Sequence, residues 1–259
     1  NIEKVSNDTY LKIYDVKSSL VETGKTVLEN RINFIYQNED FSFSSTPSVF
    51  EDTNKLGHHR HEYLLPLSAE KKIMSSEKYG SLDLNSNIKI RNYETNKQTN
   101  FLINNIKWQS KKWLSETGIE NYFEGLIKNV NYEAKKTENY KNESKNHEIN
   151  SALGYFAKFP MYKEDLIAKN FHSLTPKFLL RYAPGHMRKL ESGRLNYRNL
   201  FNLNKINESD IVEPGLSTSI GFEYKKNKTS DLKVVGDEIV SFSLGQVISE
   251  KENMDILSS

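Results

Sequence analysis

The chain contains no cysteine, which excludes disulfide bonds, thiolate metal sites and a cysteine nucleophile. It has no apolar run close to the roughly 20 residues that a membrane-spanning helix needs, so a helical membrane protein is excluded. Neither sign of charge dominates, because 36 lysines and arginines stand against 34 aspartates and glutamates. The formal net charge of +2 gives no broad electrostatic reason to bind nucleic acid.

Motifs for catalysis and metal binding are also missing from the sequence. There is neither a Gly-X-Ser-X-Gly nucleophile elbow nor a glycine-rich phosphate loop. The run His58-His59-Arg60-His61 resembles a metal site, since His59 and His61 can share one face of a strand. Only Glu62 follows nearby as a further ligand, so a polar turn leading into a strand is the favoured interpretation. The sequence predicts no enzyme, no cofactor and no metal site.

Hydrophobic residues make up only 36 % of the chain, yet 14 tyrosines and 13 phenylalanines are too many for a disordered protein. In several stretches these apolar residues alternate strictly with polar or charged residues. In Ile88-Lys89-Ile90-Arg91 apolar and basic residues alternate, which gives a strand one apolar and one polar face. Lys89 and Arg91, on the polar face, are therefore candidates to line a water-filled lumen. The same alternation marks several stretches, namely residues 31–37, 82–91, 177–182, 219–224 and 240–245.

The spacing of these stretches indicates long strands. At roughly 20 residues per strand and connection, the chain holds about a dozen strands, whereas short soluble sandwiches space theirs at about 8–12 residues. Polar stretches such as 134–148 and 225–231 are predicted to be loops. Long strands with long loops on one side are typical of outer-membrane barrels. The predicted fold is therefore all-β and antiparallel, and an antiparallel transmembrane β-barrel suits this spacing. Alternation alone does not distinguish the water-filled lumen of such a barrel from the solvent-exposed face of a soluble sheet.

The stretch Lys107-Trp108-Gln109-Ser110-Lys111-Lys112-Trp113 interleaves basic and aromatic residues. Such a stretch can be a stacking surface for nucleic acid, or an interfacial girdle in which tryptophan lies at the lipid headgroups and lysine reaches into water. The balanced charge of the chain favours the girdle. Because the chain begins at Asn1 without methionine and ends without a closing motif, residues 1–259 are expected to be one partial barrel domain, truncated at both ends.

A set of short motifs in a fixed order occupies residues 174–247. In chain order they are Thr175-Pro176, Arg181-Tyr182-Ala183-Pro184, Asn199-Leu200-Phe201, Asn204-Lys205, Asp210, Val212-Glu213-Pro214-Gly215, Gly221 followed by an aromatic residue, and Gly245-Gln246. This order and spacing resemble the barrel domain of the lipopolysaccharide-assembly outer-membrane protein family, LptD or OstA. Lys205 and Pro214 depart from the pattern, since the family more often has arginine and glycine there. The Pro-Gly pair is nevertheless a strong turn signal.

The resemblance implies a barrel of about 26 strands, of which this chain would form the middle half. It further implies a non-enzymatic role in the Gram-negative outer membrane, where lipopolysaccharide is inserted into the outer leaflet. The implied partners are lipopolysaccharide, the plug lipoprotein LptE, the periplasmic bridge protein LptA, the barrel-assembly machinery and outer-membrane lipids, but no nucleic acid. The motif residues named above would be structural, and Lys89 and Arg91 would contact phosphorylated sugar or plug carboxylates.

Three other classes of protein share parts of this pattern. A porin or a TonB-type receptor barrel would show the same alternation while taking up solutes. A soluble adhesin or fibre sheet would lack lipid contact, and its independence of detergent would distinguish it. An outer-membrane hydrolase would need a nucleophile and a base on one face of the barrel, and the sequence offers no such pair.

Overall fold

A computed structural model gives the fold of the chain. It describes residues 26–94, 96–137, 140, 145–165, 167, 169–185, 195–206, 210–229 and 235–250. These residues form 14 antiparallel strands in one sheet and one short 3-10 helix, Gly57–Arg60. In the ranges just given, no helix has the length and apolar character needed to cross a membrane. The prediction of an all-β, antiparallel fold is confirmed.

The strands are numbered in chain order. They are β1 (Val27–Arg31), β2 (Phe34–Gln37), β3 (Phe41–Ser45), β4 (Ser48–Asp52), β5 (His61–Ser76), β6 (Gly80–Tyr93), β7 (Lys97–Gln109), β8 (Trp113–Leu114), β9 (Glu120–Lys135), β10 (Lys145–Lys158), β11 (Met161–Asp165), β12 (Asn170–Ala183), β13 (Gly215–Thr229) and β14 (Val235–Ser249).

Strands that follow one another in the chain lie beside one another in the sheet. The order is β1-β4-β5-β6-β7-β9-β10-β12-β13-β14, while β2, β3, β8 and β11 are short strands paired at the side of this path. Among the described residues the path ends at β1 and at β14, and the sheet is not closed. This nearest-neighbour order is what hairpin connections between long strands produce.

Pro176 lies within β12, although proline cannot donate a backbone hydrogen bond to a neighbouring strand. Its position explains why it is tolerated. On one side of β12 the pairing with β10 ends at Lys177, opposite Lys158, and the pairing with β11 begins at Leu174, opposite Met161. Pro176 therefore lies between two ladders, where its missing N–H is not needed, and its carbonyl still accepts the amide of Phe159 at 3.0 Å.

The contacts of the chain divide it into two compact units. Unit 1 comprises Asn1–Lys72, Leu84–Asn104 and Asn129–Glu148, and unit 2 comprises Ile73–Asp83, Asn105–Lys128 and Ile149–Ser259. In unit 1, buried Phe101 stacks on Tyr132 with 5.5 Å between ring centroids. In unit 2, the buried apolar residues come mainly from the sheet and from the connection between β12 and β13.

Two predicted loops are shorter than expected. Residues 134–135 continue β9, residues 145–148 begin β10, and β13 runs to Thr229 instead of ending near residue 225. The polar ends of these strands are held by backbone pairing, such as Lys226 opposite Val240, rather than by burial. The prediction of loops was therefore wrong for these strand ends.

Candidate functional site

The two faces of β12 and β13 differ in exposure at residues 179–183 and 216–220, whereas most described residues on both faces of β14 are exposed. Even-numbered residues of one face are apolar and exposed, with Tyr182 at 53 %, Phe242 at 53 % and Leu244 at 58 % exposure. Odd-numbered residues of the other face are mostly small or polar; Arg181, Ser219 and the apolar Leu179 are fully buried there, while Ser243 on β14 is exposed. Below we call these the apolar face and the polar face. On β12 and β13 this burial is the reverse of that in a water-soluble sheet, whose apolar face is covered.

Part of the polar face is covered by the connection between β12 and β13, of which residues 195–206 and 210–214 are described; we call these residues the β12–β13 loop. Glycines on the sheet make room for its apolar side chains. A Cβ atom at Gly154 would lie 2.6 Å from Leu203 Cδ2, and one at Gly245 would lie 2.7 Å from Leu200 Cδ1. Any side chain at these positions would meet the loop, so glycine permits the loop to pack directly on the backbone of the sheet.

Asparagine side chains fix the path of the loop backbone. The Asn199 side-chain amide donates to the Lys205 carbonyl at 2.9 Å, and that of Asn204 donates to the Ile211 carbonyl at 2.9 Å. From β10, Asn150 donates to the Val212 carbonyl at 3.4 Å. A loop without helix or strand has backbone groups that need partners when buried, and these carboxamides supply them.

A buried cluster of charges joins the loop to β12 and β13. The Glu213 carboxylate accepts a hydrogen bond from Lys205 Nζ at 2.9 Å and lies 3.4 Å from Arg181 Nη1. Lys205 also donates to the Ser217 hydroxyl at 3.0 Å. Arg181 donates to the carbonyls of Leu203 and Glu213 as well. Arg181 and Lys205 are each 1 % exposed and Glu213 is 2 % exposed, so no charge of the cluster reaches solvent.

Burial also changes the acid–base properties of the loop. It lowers the pKa of the Lys205 ammonium from its usual value, against the opposing effect of Glu213. Burial raises the pKa of Tyr197 to about 12, and its hydroxyl has no hydrogen-bond partner among the described residues. Loss of the Glu213 charge would therefore leave two buried cations without a compensating carboxylate.

The structure brings most of the predicted motif residues together in this site. Asn199, Leu200 and Phe201 lie in the loop, and a Cβ at Gly221 would lie 3.1 Å from Phe201 Cζ. Three further motif residues complete the loop and its anchor: these are Asp210 and Glu213, both buried, and Gly215, which starts β13 with φ +98°.

The remaining predicted residues lie elsewhere. Thr175 and Pro176 lie on β12, and Gln246 is on the apolar face of β14. Lys89 and Arg91 lie on β6 in unit 1, where Lys89 is exposed. The Arg91 guanidinium donates to Glu62 at 2.6 Å, so its charge already has a partner on β5.

Arg181 belongs to the ordered motifs of residues 174–247, but the sequence did not assign it a role in a site. Because Arg181 lies between the apolar residues Leu180 and Tyr182, strand alternation placed its side chain on the polar face. Only the folded structure shows that it contacts Glu213. Within the described ranges there is no group of three or more histidine, aspartate or glutamate side chains that could hold a metal ion.

No protein-family model matches the chain, and no curated protein matches it in sequence.

Proposed function

We propose that the chain forms part of the wall of an outer-membrane β-barrel of the lipopolysaccharide-assembly (LptD) type. The observation that carries this proposal is the reversed burial on β12 and β13 beside the loop, where Leu180 and Tyr182 of the apolar face are exposed while Arg181 and Ser219 of the polar face are buried; the apolar face continues as exposed residues on β14. Soluble proteins rarely expose contiguous apolar surface of this kind unless it contacts a partner or a membrane. A bilayer is the solvent in which such a face is stable.

The size of the apolar face supports this interpretation. Its rows run from Leu174 to Tyr182, from Leu216 to Tyr224 and from Val240 to Ile248, about nine residues in each strand. A transmembrane strand needs about 9–11 residues at a tilt of about 45°. The backbone pairing aligns the rows, since Tyr182 lies opposite Leu216 and Phe222 opposite Leu244. Each row thus matches the thickness of a bilayer.

Aromatic residues in unit 2 support an interfacial girdle. Phe123 lies 5.6 Å from Trp113 and 5.3 Å from Tyr155 between ring centroids. The Trp108 indole donates to the Tyr79 carbonyl at 2.9 Å. Aromatic residues whose bodies contact lipid and whose polar atoms find partners are typical of girdles in outer-membrane barrels.

The lipopolysaccharide-specific part of the proposal rests on the ordered motifs of residues 174–247 and on the way most of them build one loop site. On this proposal the chain is not an enzyme, and it resides in the outer membrane of a Gram-negative bacterium. Its apolar face contacts outer-membrane lipids, and its polar face contacts the sugar part of lipopolysaccharide and a plug lipoprotein of the LptE type. The barrel-assembly machinery would insert it, and a bridge protein of the LptA type would supply the substrate.

Site-specific photo-crosslinking in cells tests this function. A photoreactive residue at Thr175, on the polar face, is expected to form an adduct with lipopolysaccharide during active transport. The same residue at Lys71, an exposed position in unit 1, serves as a control for random capture. If Thr175 captures no lipopolysaccharide while the reconstituted chain conducts small solutes, the porin or receptor alternative replaces this proposal.

A further inference from the structure

The apolar face of unit 2 changes from apolar to basic within one step of the strand register. Leu174 of β12 lies opposite Tyr224 of β13 in the last apolar row. Two residues further along each strand, the same face carries Lys163 of β11, His172 of β12 and Lys226 of β13, which are register partners across the three strands. Side chains of residues directly opposite one another are neighbours on one face. We call these three residues the basic band.

The two lysines of the basic band have no compensating carboxylates. In the part of the chain that the structure describes, neither Lys163 nor Lys226 takes part in an ion pair or a side-chain hydrogen bond. Asp165 of β11 is on the same face, but its carboxylate accepts the Ile167 amide at 3.1 Å. On β14, Val240 lies opposite Lys226 and adds no charge to the row. The row therefore carries two positive charges whose ammonium donors can bind an external anion.

A hydrogen bond fixes the imidazole between the two lysines. His172 Nδ1 and the Tyr224 hydroxyl lie 2.8 Å apart. Because β11 and β13 lie on the two sides of β12, the backbones of Lys163 and Lys226 are about 9–10 Å apart, twice the usual distance between neighbouring strands. Flexible lysine side chains at this spacing can both donate to the oxygens of one phosphate group held over His172.

The border of the apolar face is where a lipid headgroup would lie. At such a border, lysine keeps its methylene groups along apolar surface while its ammonium group reaches the polar layer. Basic residues close to an anionic membrane surface are attracted to its phosphates. The opposite ends of the apolar rows, at Tyr182, Leu216 and Ile248, carry neither lysine nor arginine. The two borders of the apolar face therefore differ in charge.

The lengths of the connections indicate which leaflet the basic band meets. At its end of the strands, residues 166–169 join β11 to β12 and residues 230–234 join β13 to β14, whereas residues 184–214 join β12 to β13 at the other end. Outer-membrane barrels have short periplasmic turns and longer extracellular loops. On the proposed function, the short-turn end is therefore periplasmic, and the leaflet there consists of phospholipid and not of lipopolysaccharide.

We propose that the basic band binds the phosphate of an anionic phospholipid in the periplasmic leaflet. Lys163 and Lys226 donate to the phosphate oxygens above His172, and the acyl chains lie along the apolar face beyond Leu174 and Tyr224. The inference deepens the proposed function and rests on it, because it names the lipid at one border of the apolar face and so orients the wall in the membrane.

Fluorescence quenching in liposomes of the full chain tests the site. The chain has no cysteine, so Met161→Cys places one label in the apolar row beside the basic band, opposite Leu174. Phosphatidylglycerol with brominated acyl chains is expected to quench this label at lower mole fraction than phosphatidylcholine with the same chains. Lys163→Gln and Lys226→Gln should each reduce this preference about fivefold, the effect of one lysine near an anionic surface. Added salt should reduce it as well.

Lys225→Gln is the matched control, because Lys225 precedes Lys226 on β13 and is on the opposite face of the sheet. It should leave the preference for phosphatidylglycerol unchanged. Equal quenching by the two lipids, or equal losses in Lys225→Gln and Lys226→Gln, would overturn this inference and leave the proposed function intact. A label that neither lipid quenches would instead overturn the proposed function.

The assignment to the periplasmic leaflet has its own tests. Unlabelled phosphatidylglycerol should displace the brominated lipid more effectively than lipopolysaccharide does. In cells, a maleimide polymer too large to cross the outer membrane should react with Lys169→Cys, in the turn before β12, only after that membrane is permeabilised. Stronger displacement by lipopolysaccharide, or reaction in intact cells, would overturn the inference.

Discussion

Replacing Glu213 by glutamine is expected to lower the free energy of unfolding by about 3–5 kcal/mol, which is the usual cost of removing one charged partner of a buried ion pair. Glutamine has nearly the same shape, so the change removes charge and little packing. Arg181 and Lys205, each 1 % exposed, would remain buried without a carboxylate. The loop is expected to leave the polar face so that both cations reach water. Urea unfolding of the detergent-solubilised chain, monitored by tryptophan fluorescence, measures the change.

Glu223→Gln is the matched control for this prediction. Its partner Lys177 lies 2.9 Å away, but both side chains are more than a quarter exposed. Partly exposed pairs contribute about 0–1 kcal/mol. Protease cleavage within residues 195–206 should appear in Glu213→Gln and not in Glu223→Gln. Equal unfolding curves for the two variants would show that the buried cluster does not hold the loop.

Gly221→Ala is expected to have the second largest effect, a loss of about 1–3 kcal/mol or more through overpacking. The added Cβ would lie 2.4 Å from the Leu244 carbonyl oxygen and 2.8 Å from Gly245 Cα. These are backbone atoms of the paired strand β14, which cannot rotate away as a side chain can. The two strands must therefore move apart at this point, and the Phe201 contact of the loop is disturbed with them.

Gly125→Ala provides the comparison. In β9, the nearest atom to a Cβ at Gly125 is Trp108 Cε3 at 3.5 Å, an ordinary contact distance. Alanine should be tolerated there within about 0.5 kcal/mol. Hydrogen exchange of the β14 amides should accelerate in Gly221→Ala and remain unchanged in Gly125→Ala. Unchanged exchange in both variants would contradict the close approach of β13 and β14.

Alternation in the sequence was sufficient to predict the two faces of the sheet. Phe222 and Tyr224 on β13 and Phe242 and Leu244 on β14 have the parity of the exposed apolar face. A period of two residues depends only on local backbone geometry, so it is readable before any tertiary contact is known. The same reasoning failed at polar strand ends such as 225–229, because backbone pairing extends strands beyond the residues that have an apolar face.

The loop site could not be derived from periodicity. Arg181 and Glu213 are separated by more than 30 positions, and nothing in the local sequence of either indicates that they meet. The glycines at 154, 221 and 245 carry no signal of their own, since glycine also occurs in ordinary turns. Only the order of the motifs in residues 174–247 grouped several of these residues, and it did so without indicating that a buried ion cluster joins them.

Site-specific fluorescence in liposomes tests most directly whether the apolar face contacts lipid. The chain has no cysteine, so Leu244→Cys and Ser243→Cys each place one polarity-sensitive label, on opposite faces of the same strand. The label at position 244 should emit at shorter wavelength and be quenched by a lipid-borne quencher, while the label at 243 should respond only to an aqueous quencher. Aqueous quenching of both labels to the same extent would contradict lipid contact at the apolar face.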